Sequence, residues 1–112
     1  MQITINVKTI DEAIIKPKAE VTVVIDFLKR LGIPGRIAVE LYQKHGPDYL
    51  VRKAMHAEYM KPRNRIAYFR ADCRENYPES DGFHEWYKRR KTQILIDDRI
   101  PQELKRVVGR VL

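Results

Sequence analysis

The sequence predicts a mainly helical α+β fold, a compact bundle of about five helices with a short N-terminal β-strand and a candidate second strand near residues 92–96. Three observations carry this. Apolar residues recur at three- and four-residue steps over most of the chain from Ala19 onward. Gly32, Pro34, Gly46, Pro47, Pro62 and Pro78 fall between those runs rather than inside them. Met1 to Lys8 alternates polar with apolar residues, and in Thr92 to Ile96 the residues Ile94 and Ile96 alternate with polar Gln93 and intervening Leu95. At 112 residues and 44% hydrophobic, the chain suits one domain with one core, spanning 1–112. Within it a helical module at 19–78 precedes a basic, aromatic segment and a closing helix at 79–112.

Each element has its own signal. In Met1 to Lys8, Ile3, Ile5 and Val7 share one face of a half-buried strand. A strand this short needs a partner, either Thr92 to Ile96 or a second copy of the chain, which gives a homodimer built through the N-terminus. Pro17 marks a connector. From Ala19 to Leu31 the helical stripe is Val21, Val24, Ile25, Leu28 and Leu31, and Gly32 ends it. Pro34 opens a second helix with Ile37, Ala38, Leu41 and Tyr42 inward, running to His45 and Gly46. Pro47 to Met60 buries Leu50, Val51, Ala54 and Met55. Arg63 to Tyr77 follows the break at Lys61-Pro62, with Ile66, Phe69, Cys73 and Tyr77 on its stripe. After the turn at Glu79 to Gly82, FHEWYKRRK reads as a short helical segment leading into the strand candidate TQILI. The last helix, Ile100 to Leu112, carries Ile100, Leu104, Val107, Val108 and Val111 inward.

Composition narrows the function. The net charge is +7, and it is uneven: residues 1–60 hold nine Lys/Arg against seven Asp/Glu, residues 61–112 thirteen against eight. An electrostatic partner is therefore expected at the second half. Cys73 is the only cysteine, which excludes an internal disulfide or a thiolate-rich zinc site and fits a reducing, cytoplasmic setting. No apolar run reaches the roughly 20 residues of a membrane helix, and the N-terminus lacks a signal-peptide pattern, so the mature protein is expected to be the whole chain, without a membrane partner. The sequence has no phosphate-cradling glycine loop and no serine elbow. His84, with Asp81 and Glu85 nearby, lacks a second ligand pair, so no metal or other cofactor is expected. His45 reads as a helix-end residue whose charged form the dipole favours, and Cys73 as core. The expectation is a binding protein and not an enzyme.

Two basic motifs are the candidate sites. Lys61-Pro-Arg-Asn-Arg65 sets Lys61, Arg63 and Arg65 around a helix N-terminus, an arrangement suited to phosphate oxygens, and Arg70 and Arg74 extend the track. In His84-Glu-Trp-Tyr-Lys-Arg-Arg-Lys91, the cations Lys88, Arg89, Arg90 and Lys91 repel one another and call for an anionic partner, while Trp86 adds a flat face for base stacking.

The order of elements over residues 31–78, LGIPGRIAVELYQKHGPDYLVRKAMHAEYMKPRNRIAYFRADCRENYP, resembles the small helical module of bacterial and plasmid replication-initiation proteins. More distantly it is similar to the C-terminal helical domain of DnaD-type primosome-loading proteins. Asn64, Arg65, Ile66, Ala67, Tyr68, Phe69, Arg70, Cys73, Arg74, Glu75, Asn76 and Tyr77 follow the closing helix of that pattern, with Arg65 where the family often has proline. The resemblance implies a DNA-binding accessory protein of replication, or of a plasmid or phage, with DNA (or RNA) and a replication protein as partners. The alternative expectation is an adaptor docking on a replication or transcription factor, for which Tyr42, Tyr49, Tyr59 and Tyr68 would form an uncovered patch.

Overall fold

The computed structural model describes residues 19–111, and six α-helices account for most of them. They are α1 (Glu20–Arg30), α2 (Gly35–His45), α3 (Pro47–Met60), α4 (Arg65–Glu75), α5 (Phe83–Leu95) and α6 (Gln102–Val111). The strand expected at Met1 to Lys8, and the homodimer drawn through it, lie outside the described residues.

The central element is α3, which packs against each of the other five helices. Its composition explains this. Leu50, Val51, Ala54, Met55 and Ala57 are all buried, and Lys53 and His56 are buried with them, so α3 is covered on nearly every side. The remaining helices each lay one stripe on it. Phe69 and Cys73 come from α4, Phe83, Tyr87 and Ile94 from α5, and Leu104, Val107 and Val108 from α6. On α1 the stripe turns by part of a helical step relative to the sequence expectation: Val23, Val24 and Leu28 are buried, whereas Val21 is exposed. Val23 and Val24 can both reach the core because α1 is wedged between α2, α3 and α6.

Among the described residues there is no strand, and the one expected at Thr92 to Ile96 is corrected to helix. Burial at Phe83, Tyr87 and Ile94 steps by four and seven residues, a helical stripe that runs straight through the supposed strand. Alternation would bury Ile94 and Ile96 together, yet Ile94 is 3% exposed and Ile96 75%. A helix already propagating from Phe83 satisfies its backbone internally, whereas a lone strand there leaves its N–H and C=O groups without a partner. The FHEWYKRRK segment is thus the first two turns of a longer helix.

Polar contacts lock the helix ends. Arg110 on α6 bonds both Glu20 of α1 and Asp48 of α3, tying three helices at one corner. Arg52 of α3 pairs with Glu79 and also donates to the carbonyl of Val111 at 3.0 Å. The Tyr87 hydroxyl donates to the Val108 carbonyl at 3.1 Å, fixing α5 on α6. Gly82 precedes α5 at φ +87, and a Cβ there would lie 2.7 Å from the Tyr59 hydroxyl oxygen, which itself donates to the Asp81 carbonyl. Gly82→Ala is expected to cost about 1–3 kcal/mol, through left-handed strain and loss of that hydrogen bond, read as a lowered thermal midpoint.

Candidate nucleic-acid interface

The first basic motif is placed by two backbone devices. Lys61 takes the left-handed conformation (φ 50, ψ 55) and its N–H reaches the Ala57 carbonyl at 3.0 Å, which closes α3, and Pro62 keeps the helix from continuing. Asn64 is extended and its Oδ1 accepts the Ala67 N–H at 3.0 Å, the cap that opens α4. Between these two devices Arg63 is pushed into solvent, and Arg65 begins α4 where the helix end carries positive partial charge.

The loop does not stand alone. The Ile66 side chain approaches Gly32, its Cδ1 lying 3.8 Å from the position of a Cβ there, so the start of α4 rests on the corner between α1 and α2. Leu31 from that corner joins Pro62, Arg63, Asn64, Arg65 and Ile66 around a shallow hollow. The same corner carries Lys29, whose methylenes lie over Gly35, and Arg36 in the first turn of α2.

This junction joins two stretches without a carboxylate. Residues 27–39 contain Lys29, Arg30 and Arg36 and no Asp or Glu; residues 59–71 contain Lys61, Arg63, Arg65 and Arg70 and no Asp or Glu. Arg30 lines a different cleft, on the α6 side of α1. Lys29, Arg36, Lys61, Arg63, Arg65 and Arg70 are all exposed, and none makes an ion pair among the described residues. Arg74, further along α4, bonds Glu75 at 3.0 Å.

The second motif is placed differently. Arg90 bonds Glu58 of α3 at 3.0 Å, and Lys88 lies 3.7 Å from Glu85 one turn back. Lys91 is half-buried, and Arg89 is the exposed cation of the four with no partner among the described residues. Trp86 is half-buried against Tyr59 and Phe83, with ring centroids 5.4 and 6.0 Å away, so most of its surface serves packing. The Arg90–Glu58 contact puts this part of α5 beside the last turn of α3, which leads directly into Lys61. Both motifs therefore adjoin the C-terminal end of α3, the first with no ion pair at Lys61, Arg63 or Arg65 among the described residues and the second largely paired.

Sequence reading missed a buried polar group under the α3–α4 contact. Asp72 is fully buried, forms an ion pair with Lys53 at 3.0 Å, and accepts from His56 Nδ1 at 2.9 Å and from the Tyr77 backbone N–H at 2.9 Å. Lys53 also donates to Asn76 Oδ1 at 2.7 Å. His56 Nε2 accepts the Ser80 backbone N–H at 3.4 Å, which leaves Nδ1 as the protonated nitrogen facing Asp72. The order Ser80, His56, Asp72 is that of a hydrolytic relay, with the serine hydroxyl 3.5 Å from His56 Nε2; that hydroxyl also donates to Met60 Sδ at 2.9 Å, and Lys53 pairs with the aspartate. The set fixes the loop after α4 onto α3. No pattern announced it, since Lys53, His56, Asp72 and Ser80 are brought together only by helix packing.

Other expected site features resolve simply. Cys73 is buried, and burial, with Asp72 beside it, pushes its thiol up to about 12, the behaviour of a core residue. His45 stacks on Tyr49 at 4.6 Å, and burial, with Lys44 adding repulsion, lowers its pKa, so the charged form expected at this helix end is disfavoured. Tyr42, Tyr49, Tyr59 and Tyr68 all pack on the core and form no uncovered patch. Among the described residues no His, Cys, Asp or Glu group has the makings of a metal site, and no helix is long and apolar enough to cross a membrane. In comparisons with known proteins, no family model, curated protein or solved structure matches the chain.

Proposed function

We propose that this chain is a non-enzymatic nucleic-acid-binding protein that grips phosphate backbones through the seam between the α1–α2 corner and the α3–α4 loop. DNA is the preferred partner, and an accessory role in replication or in a plasmid or phage is the setting that the resemblance of residues 31–78 favours. The observation that carries this reading is the meeting of two carboxylate-free stretches, with six exposed cations that no acidic side chain among the described residues neutralises. Such a surface keeps unfavourable self-repulsion in the free protein, and a polyanion relieves it. Arg63 and Arg65 beside the N-terminus of α4 provide the strongest phosphate contact, while Lys29, Arg36, Lys61 and Arg70 lengthen the track. Arg89 and, less strongly, Trp86, Lys88, Arg90 and Lys91 form its margin.

Contacts of this kind read backbone and not bases, so binding is expected to be weakly sequence-specific. Titration of labelled single- and double-stranded DNA at about 50 and 200 mM salt tests it. For about five phosphates neutralised on a duplex, affinity should fall by roughly 10²–10³ between those conditions. An affinity indifferent to salt, or no binding at the lower salt, overturns the reading.

A further inference from the structure

A second cleft, unrelated to the basic seam, opens between α1 and the start of α6. It has a volume of about 260 Å³ and is lined by Val23, Asp26, Phe27 and Arg30 from α1 and by Pro101, Glu103 and Leu104 from the other wall. Its chemistry runs against that of the whole molecule. On a chain of charge +7, this cleft gathers two carboxylates and one guanidinium.

Glu103 is the informative residue. It is only 7% exposed, and its carboxylate makes no hydrogen bond or ion pair among the described residues. Its oxygens are nonetheless not sealed off, since no fully enclosed side-chain oxygen among the described residues lacks a partner. Glu103 is itself one of the residues that line the cleft. A carboxylate withdrawn from water gains from a counter-ion. The position of Glu103 in the first turn of α6 supplies only the partial charge of the helix end.

The rest of the lining defines the shape of that counter-ion. Val23, Phe27, Pro101 and Leu104 give an apolar floor, which suits a hydrocarbon stem and gives nothing to a hydrated metal ion. The volume lies below the roughly 300–1,000 Å³ of sites for drug-sized ligands, so one side-chain-sized group fills it. We propose that the α1–α6 cleft binds an organic cation carried on an apolar stem, an alkylammonium or alkylguanidinium group, with Glu103 as its counter-ion. A free small amine and a lysine or arginine side chain of a partner polypeptide share this chemistry.

The test is a charge series at constant shape. Full-length isotope-labelled chain is titrated with n-pentylammonium, n-pentanol and pentanoate, following the amides of Val23, Phe27 and Leu104 and the side-chain carboxyl carbon of Glu103 by NMR. Pentylammonium is expected to shift these signals saturably and to bind at least about fivefold tighter than pentanol, with pentanoate weaker still. Glu103→Gln is expected to remove the difference between pentylammonium and pentanol. Because the series is read on the unaltered chain, it decides the matter even if that variant folds poorly. Equal affinity for the amine and the alcohol, or shifts confined to other residues, overturns the proposal. A blocked Ala-Lys-Ala peptide separates the sources: tighter binding than pentylammonium assigns a polypeptide, weaker binding a free amine.

Discussion

Asp72→Ala should be among the most damaging single substitutions in this protein, lowering its stability by about 3–5 kcal/mol in urea denaturation. Asp72 is fully buried, is the counter-ion of Lys53 and accepts from His56 and the Tyr77 backbone N–H. Removing it strands the Lys53 ammonium, 3% exposed, with Asn76 as its remaining partner. The cost is then mainly that of a buried charge without a counter-ion, larger than the value of the hydrogen bonds themselves. A domain of this size holds only about 5–15 kcal/mol in total, so the variant should be marginal at room temperature. The companion Lys53→Met/Asp72→Leu removes both charges and should recover much of the loss, because a well-packed apolar pair replaces an ion pair at little cost. If Asp72→Ala alone lost less than about 1 kcal/mol, the Lys53–Asp72 pair would have to be far wetter than its burial indicates.

Phe83→Ala is the second large effect, expected at about 3–5 kcal/mol by the same assay. Phe83 is 1% exposed and lies among four other rings, those of His56, Tyr59, Trp86 and Tyr87, all with centroids within 6.0 Å. Deleting it leaves a cavity that neighbouring rings are too rigid to fill, and edge-on aromatic contacts go with it. The loss should show first at α5, since Phe83 is the first residue of that helix and its anchor on α3. Hydrogen exchange should therefore report faster exchange in 83–95 than in α3 for this variant. Uniform loosening of all helices would contradict the anchoring role.

Much of the helical scaffold is legible in the sequence because periodicity and punctuation agree. The α3 span is recovered at both ends, since Pro47 sets its start and Lys61-Pro62 its stop. On α6, Leu104, Val107 and Val108 are buried as their spacing requires. What failed was decided by packing. Thr92 to Ile96 has β-branched and apolar residues in alternation, but the helix begun at Phe83 runs into it and wins. On α1, Val21 and Val23 are equally apolar, and only the neighbours of that helix decide which is covered.

The candidate interface divides in the same way. Lys61, Arg63, Arg65 and Arg70 stand close together in the sequence and make no ion pair among the described residues. The run Lys88 to Lys91 is denser in cations, yet Glu58, thirty-two residues from Arg90, reaches it and takes up charge. No local sequence pattern links Lys29 and Arg36 to Arg63; the Gly32–Ile66 approach does. An absence of acidic residues is readable in a sequence, but that two such absences share one surface is a property of the fold.

The most direct test compares salt slopes for two double variants on one DNA duplex. Removing Arg63 and Arg65 together as alanines should reduce the slope of log affinity against log salt by about 2, near 0.9 for each lost phosphate contact. Alanine at Arg89 and Arg90 should reduce it by about 1 or less, because Glu58 already holds Arg90. An unchanged slope for Arg63→Ala/Arg65→Ala, or a larger drop for the α5 pair than for the loop pair, would contradict the placement of the anion-binding surface at the seam.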